Sequence, residues 1–157
     1  MLDFIKDFQS AVIGTVDEKG LAFSSYAPFV YENHKFYIFI SDVAKHAGNL
    51  KRTEKASLFF IEDESKSEQI FARKRISLQS SSSLIPREEK EFTEVMESFK
   101  TKFSEGMMNM LLGMSDFNLY ALSTDSGEAT FGFGEAYAIG GENMEDLVSR
   151  QGGSGHK

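Results

Sequence analysis

The chain has 157 residues, 41% hydrophobic and 26% charged, with a formal net charge of -7; that length suits one globular domain with a real core, and the acidity argues against nucleic acid, whose binding rests on neutralising phosphates. Cysteine is absent, which excludes disulfides, thiolate metal sites and cysteine nucleophiles and fits a reducing, cytoplasmic location. No apolar run reaches the ~18 residues of a membrane span, and Met1 to Asp7 lacks the basic region and apolar core of a signal peptide.

In chain order, residues 2–9 read as a short amphipathic helix with Leu2, Phe4, Ile5 and Phe8 on one side. Ala11 to Val16 reads as a strand, Asp17 to Gly20 as a turn, and Leu21 to Tyr31 as a second strand broken at Pro28, which cannot donate to a ladder. Glu32 to Lys35 turns the chain into Phe36–Ile40, apolar throughout and so expected to be covered on both faces. Three strands joined by tight turns predict an antiparallel meander.

A helix follows from Val43 to about Arg52, with Ser41 or Asp42 as its cap and basic residues at its C-terminal end, where the dipole favours them. Ala56 to Ile61 reads as a fourth strand, residues 62–68 as a charged loop, and Ile70 to Gln79 as a fifth strand. Ser80 to Ser83 and Pro86 form a predicted break. Arg87 to about Met114 reads as helix in two pieces around Gly106, the second carrying a methionine-rich stripe of the kind used for core or dimer contact. Phe117 to Leu122 is a strand, Ser123 to Gly127 a turn, and Ala129 to Ile139 the last strand, with Glu142 to Arg150 a short helix. The folded part is a single domain over residues 1–150, and residues 151–157 are a flexible glycine-rich tail. Six to seven antiparallel strands with two or three helices predict a small closed barrel, because closure removes exposed edges.

The fifth strand carries the clearest chemical signal. A period of two puts Phe71, Arg73, Arg75 and Ser77 on one face, with the two guanidinium groups about 7 Å apart along the strand. In an acidic chain that pair reads either as an anion site, since guanidinium forks match phosphate or carboxylate, or as surface ion pairs of small energetic weight. The chain has three histidines, His34, His46 and His156. His34 falls in a hairpin turn facing solvent, and His46 reads as a helix residue. His156 lies in a tail whose composition points to disorder. Phe131-Gly-Phe-Gly134 is not followed by a helix, so it fails the context test for a dinucleotide loop. The carboxylate runs at 62–68 and 88–91 read as solvated faces.

Several stretches in a fixed order resemble the split-barrel proteins related to pyridoxamine 5'-phosphate oxidase, and within them the HugZ/HutZ-like haem-utilisation branch. They are Ser25-Tyr-Ala-Pro-Phe29, His46-Ala-Gly-Asn-Leu50, Ala72-Arg-Lys-Arg-Ile-Ser-Leu78, Asp116-Phe-Asn-Leu-Tyr120, Gly132-Phe-Gly-Glu-Ala-Tyr137 and Gly155-His-Lys157. The resemblance implies a homodimeric split β-barrel of the FMN-binding type, mainly β with flanking helices, with haem near the subunit interface and degraded there for iron acquisition. It implies that His156 is the axial metal ligand and that Asp116 holds its imidazole. It further implies that Arg75, with Arg73, meets the propionates or steadies negative charge beside the iron, and that His46 lies near the haem face. The resemblance also implies an external electron donor. The flavin branch uses basic residues of the same strand for a phosphate, so Arg73, Arg75 and Ser77 fit an FMN oxidoreductase as the alternative. A haem carrier without turnover is the third reading.

Overall fold

The computed structural model describes residues 1–150. Its first helix, α1 (Leu2–Ile5), leads into the meander β1 (Ser10–Val16), β2 (Ala22–Glu32) and β3 (Lys35–Ser41). Next come α2 (Lys45–Thr53), β4 (Lys55–Ile61), β5 (Arg75–Ile85), α3 (Lys90–Lys102) and α4 (Glu105–Leu112). The chain closes with β6 (Phe117–Thr130), β7 (Ala136–Gly140) and β8 (Asp146–Ser149). The order β3-β2-β1-β4-β5-β6 becomes a ring of antiparallel pairs because β3 also pairs with β6, Phe36 opposite Leu122 through Ser41 opposite Phe117. β7 and β8 extend the sheet beyond the ring. This is the predicted split barrel.

Side-chain alternation sorts the residues into two cores. Ile13, Phe29, Phe36, Ile38, Phe60, Ile76, Leu78, Tyr120 and Leu122 fill the barrel, with Phe29 and Phe60 edge to face at 5.3 Å between ring centroids. Tyr37, Phe39, Leu119 and Ala121 point the other way and pack against Phe92, Val95, Met96 and Phe99 of α3 and Met108 of α4. Phe36–Ile40 is apolar without interruption because one of its faces looks inward and the other meets these helices, as the sequence predicts.

Seven local expectations are corrected. Ile70 to Gln79 is not one strand: Ile70–Ala72 forms a 3-10 turn and β5 begins at Arg75. The β4–β5 pairing ends at Ile61 opposite Arg75, so residues 62–74 have no ladder to join and bond locally instead, Glu62 Oε1 accepting from Lys74 N at 2.8 Å. Ser80 to Ser83 do not break the chain but continue β5 against β4 and β6. Ser123 to Gly127 is strand rather than turn, with Asp125 as the extra residue between the pairs Gln79–Ser126 and Ser80–Thr124. Gly127 is there for closeness: a Cβ would stand 2.9 Å from Ser77 O.

The helix break falls at Phe103, where Ser104 caps α4 by accepting from Met107 N at 3.1 Å. Glu142 to Arg150 forms a turn and β8, not a helix. α2 starts at Lys45 with Ala44 in the cap position and no side-chain cap, so neither Ser41 nor Asp42 serves that end. Pro28 lies within a continuous β2, opposite Ser10.

Candidate functional site

Around Tyr26, Val12, Phe59 and Ser77 the outer surface of β2, β1, β4 and β5 has no helix over it among the described residues, whereas Val30 of β2 and Ile85 of β5 are buried in the cluster under α3 and α4. Successive pairs carry one row across it: Tyr26 opposite Val12, Val12 opposite Phe59, Phe59 opposite Ser77. At ~4.8 Å per strand the row is about 14 Å wide. Tyr26 is 68% exposed and Val12 43%. Arg75 stands one step along β5, opposite Ile61. The result is an apolar row of Tyr26, Val12 and Phe59 ending at Ser77, with a cation at its edge and the polar row Ser24, Gly14, Ser57 and Gln79 beside it.

Of the predicted arginine pair, only Arg75 belongs to this face together with Ser77. Arg75 donates one bond, Nη1 to Arg73 O at 3.0 Å. Arg73 precedes the strand and turns back on its own loop, donating through Nε and Nη2 to Glu62 O and through Nη1 to Glu64 Oε1 at 3.1 Å. The Glu62 carbonyl and the Glu64 carboxylate take up this guanidinium, which corrects the expectation of two arginines side by side. Arg73 also lines a cavity of about 660 Å³ beside α1, where Asp7, Glu62, Asp63 and Glu64 outnumber Lys66 and Arg73. An acidic lining of that kind disfavours an anionic ligand.

Asp116 sits just before β6, at the opposite end of the barrel wall. Ser41 Oγ donates to Asp116 Oδ2 at 2.5 Å, and Ser41 Oγ in turn accepts from Val43 N at 3.2 Å. The backbone is fixed as well, Asp42 N donating to Asp116 O at 2.8 Å. Arg87 closes the turn around it, donating to the carbonyls of Leu112, Met114 and Phe117 at 2.9 Å each. Its guanidinium lies 5.7 Å from the Phe92 ring centroid. Asp116 Oδ1 has no hydrogen-bond partner among the described residues.

Asp116 and Arg75 do not meet within one chain. Phe117 pairs with Ser41 and Thr130 with Arg75, so about 40 Å of strand, at ~3.3 Å per residue, runs between the two ends of β6. His46, on α2, is buried, with Nδ1 at 2.8 Å from Ser25 Oγ. Burial pushes its imidazole below the usual histidine range, so the ring is neutral. It closes one end of the barrel rather than standing on the open face. His34 is exposed and bonds Glu145 at 2.7 Å. His156 and the predicted tail lie outside the described residues.

Among the described residues no three His, Cys, Asp or Glu side chains converge as a bare metal ion requires. A porphyrin iron brings four nitrogens of its own and asks the protein for an axial ligand and a flat apolar berth.

Sequence reading passed over Tyr26, Val12 and Phe59 as a platform, and Ser41 and Arg87 as the hold on Asp116. Alternation within β1 and β4 carries the signal for the platform. Ser41 and Asp116 are separated by 75 positions, and only the β3–β6 closure brings them together.

Comparison with known proteins follows the same lines. The pyridoxamine 5'-phosphate oxidase family profile matches residues 1–129. Heme oxygenase HutZ of Vibrio cholerae is 32% identical over 155 residues, covering 99% of this chain and 86% of its own. The crystal structure of HutZ, there called a heme storage protein, superposes with a TM-score of 0.78 at 30% identity over 84% of this chain and 94% of that one. ChuZ of Campylobacter jejuni superposes with a TM-score of 0.82 at 31% identity, over 99% of this chain but only 65% of ChuZ.

Proposed function

The chain belongs to the pyridoxamine 5'-phosphate oxidase family, and from that premise we propose that it binds haem and degrades it to release iron. The observation that carries the reading is the uncovered row across β2, β1, β4 and β5, apolar at Tyr26, Val12 and Phe59 and edged by Arg75. Haem has that character: two flat apolar faces and two carboxylates on one side. The relative 32% identical over nearly the whole chain is named heme oxygenase.

In this reading Tyr26, Val12 and Phe59 hold the porphyrin face and exclude water from it. Arg75 keeps donors for a propionate, while Arg73 braces the backbone that carries Arg75. His156 supplies the imidazole to the iron. Asp116 accepts that ring's other N–H through Oδ1, which fixes the tautomer and raises the basicity of the nitrogen facing the metal. Because Asp116 and Arg75 lie at opposite ends of β6, a site using both draws them from two copies, and we propose a homodimer. When bound, haem supplies the redox centre and is itself the material oxidised, with electrons from an external donor. An FMN oxidoreductase is less well supported, since Arg73 is already committed to Glu62 and Glu64 and offers little to a phosphate.

Hemin titration tests the proposal. The expected result is a saturable Soret shift that is lost in His156→Ala, followed by bleaching, a biliverdin-like pigment and chelatable iron once reductant and oxygen are added. Binding without pigment or iron release would leave a carrier and remove the oxygenase. No Soret shift would remove both.

A further inference from the structure

We infer that Phe71 and Phe133 grip the edge of bound haem, one ring from each of the two loops that flank Arg75; this deepens the haem reading and rests on it. Of the chain's 15 phenylalanines, only these two are exposed, Phe71 at 85% and Phe133 at 74%. Both stand on loops that spring from a single pair of residues. Arg75 opens β5 opposite Thr130, the last residue of β6. Phe71 comes four positions before Arg75, and Phe133 three after Thr130. At no more than ~3.6 Å per residue, both lie within about 15 Å of that pair along the backbone, a span comparable to the apolar row that ends at Ser77. Single apolar side chains scattered over a surface need no explanation, but two aromatic rings left in water beside the same cation do.

Each loop is anchored by neighbours of the exposed ring. In the first, Gln69 Oε1 accepts from Phe71 N at 3.2 Å and Gln69 O from Ala72 N at 3.0 Å, while Arg73 ties the following turn to Glu62 and Glu64. In the second, Phe131 turns inward against Phe4, with 5.5 Å between ring centroids. Phe131 N donates to Glu135 O at 3.0 Å and Glu135 N to Gly132 O at 3.2 Å, a tight turn that Gly134 permits at φ +76°. Phe133 stands within that closed turn. Both loops line one cavity of about 300 Å³, Gln69, Ala72 and Lys74 from the first and Phe131, Gly132 and Phe133 from the second. The backbone under each ring is thus fixed by local bonds, so covering the rings costs little further ordering. With a propionate on Arg75, the rings cover the adjacent porphyrin edge and keep water from the ion pair, which strengthens it.

The test titrates full-length protein with hemin at the Soret band, with urea midpoints and sedimentation of the ligand-free protein read alongside. Phe71→Ala and Phe133→Ala are each expected to weaken hemin binding about tenfold. Their urea midpoints are expected to stay in place, because both rings already stand in water. Phe71→Tyr and Phe133→Tyr, which keep the ring, are expected to bind as the wild type does. Leu21→Ala removes another exposed apolar side chain, 60% exposed in the turn between β1 and β2, and is expected to leave binding unchanged. Saturable binding by the wild type with unchanged affinity in either phenylalanine-to-alanine variant would overturn the grip and leave the haem reading standing. An equal loss in Leu21→Ala would mean unspecific adsorption of hemin and would also overturn it. Altered sedimentation at unchanged hemin affinity would give the rings to a second copy of the chain, against this inference. No Soret shift in the wild type would remove the haem reading and the inference together.

Discussion

The two outer faces of the barrel are built by opposite rules. On the β3–β6 side, Tyr37, Phe39, Leu119 and Ala121 are buried under α3 and α4. On the β2-β1-β4-β5 side, Val12, Val16 and Tyr26 remain 43%, 44% and 68% exposed. Both sides share one barrel interior, so the difference lies wholly in what is laid over them. The covered face holds the molecule together, and the bare face is available for binding. Apolar surface left in water contributes nothing to folding at that point, yet any flat apolar ligand that covers it regains the lost stabilisation.

Substitutions on the two faces should therefore separate stability from binding. Phe39→Ala, under the helices, is expected to cost about 3–5 kcal/mol by removing a buried aromatic ring, read as a lower urea midpoint. Tyr26→Ala is expected to change stability by no more than ~0.5 kcal/mol while weakening hemin binding about tenfold, equivalent to ~1.4 kcal/mol. Equal losses of stability at both positions would erase the distinction.

Arg87→Ala comes next, with an expected cost of about 1 kcal/mol, because three carbonyls lose a charged donor at a solvent-exposed position. Hydrogen exchange should show the loss confined to residues 112–117 and the bare face unaffected. The smallest effect concerns His46. Its folded-state pKa lies below 6.5 through burial, so the unfolded chain binds the extra proton. Stability is full above about pH 6.5 and falls as the pH drops through the folded value. His46→Gln should flatten that limb of a pH series of urea midpoints; an unchanged slope would mean that His46 is not the group responsible.

How far the sequence speaks depends on the range of the interaction. The run Phe36–Ile40 announces a doubly covered strand by itself, and the meander follows from its turns. Ring closure through β3 and β6 is visible only as a class of fold, because no local pattern names the partner strand. Ser123 to Gly127 looks like a turn by composition, yet pairing with β5 overrides that preference. The arginine strand fails for a similar reason: a period of two was present in the letters, but the ladder that would make it a strand stops at Arg75. Of the candidate site, Arg75 and Ser77 were legible from alternation. Asp116 and His156 enter as candidates only through family resemblance, since neither carries a local signal, and His156 lies outside the described residues. The Ser41 contact was not legible at all, its partner lying in a different part of the chain.

The additional residue at Asp125 has a consequence for how this chain can vary. Before it, even-numbered positions of β6 such as Tyr120 and Leu122 face the interior; after it, the odd-numbered Ala129 does. The strand thus changes phase once, at a fixed place, much as a reading frame is restored by a compensating insertion. Gaining or losing one residue elsewhere between Leu119 and Ala129 would leave the frame uncorrected and turn Ala129 outward. Length variation in descendants of this sequence is consequently confined to the connecting loops, and the phase of β6 is inherited intact.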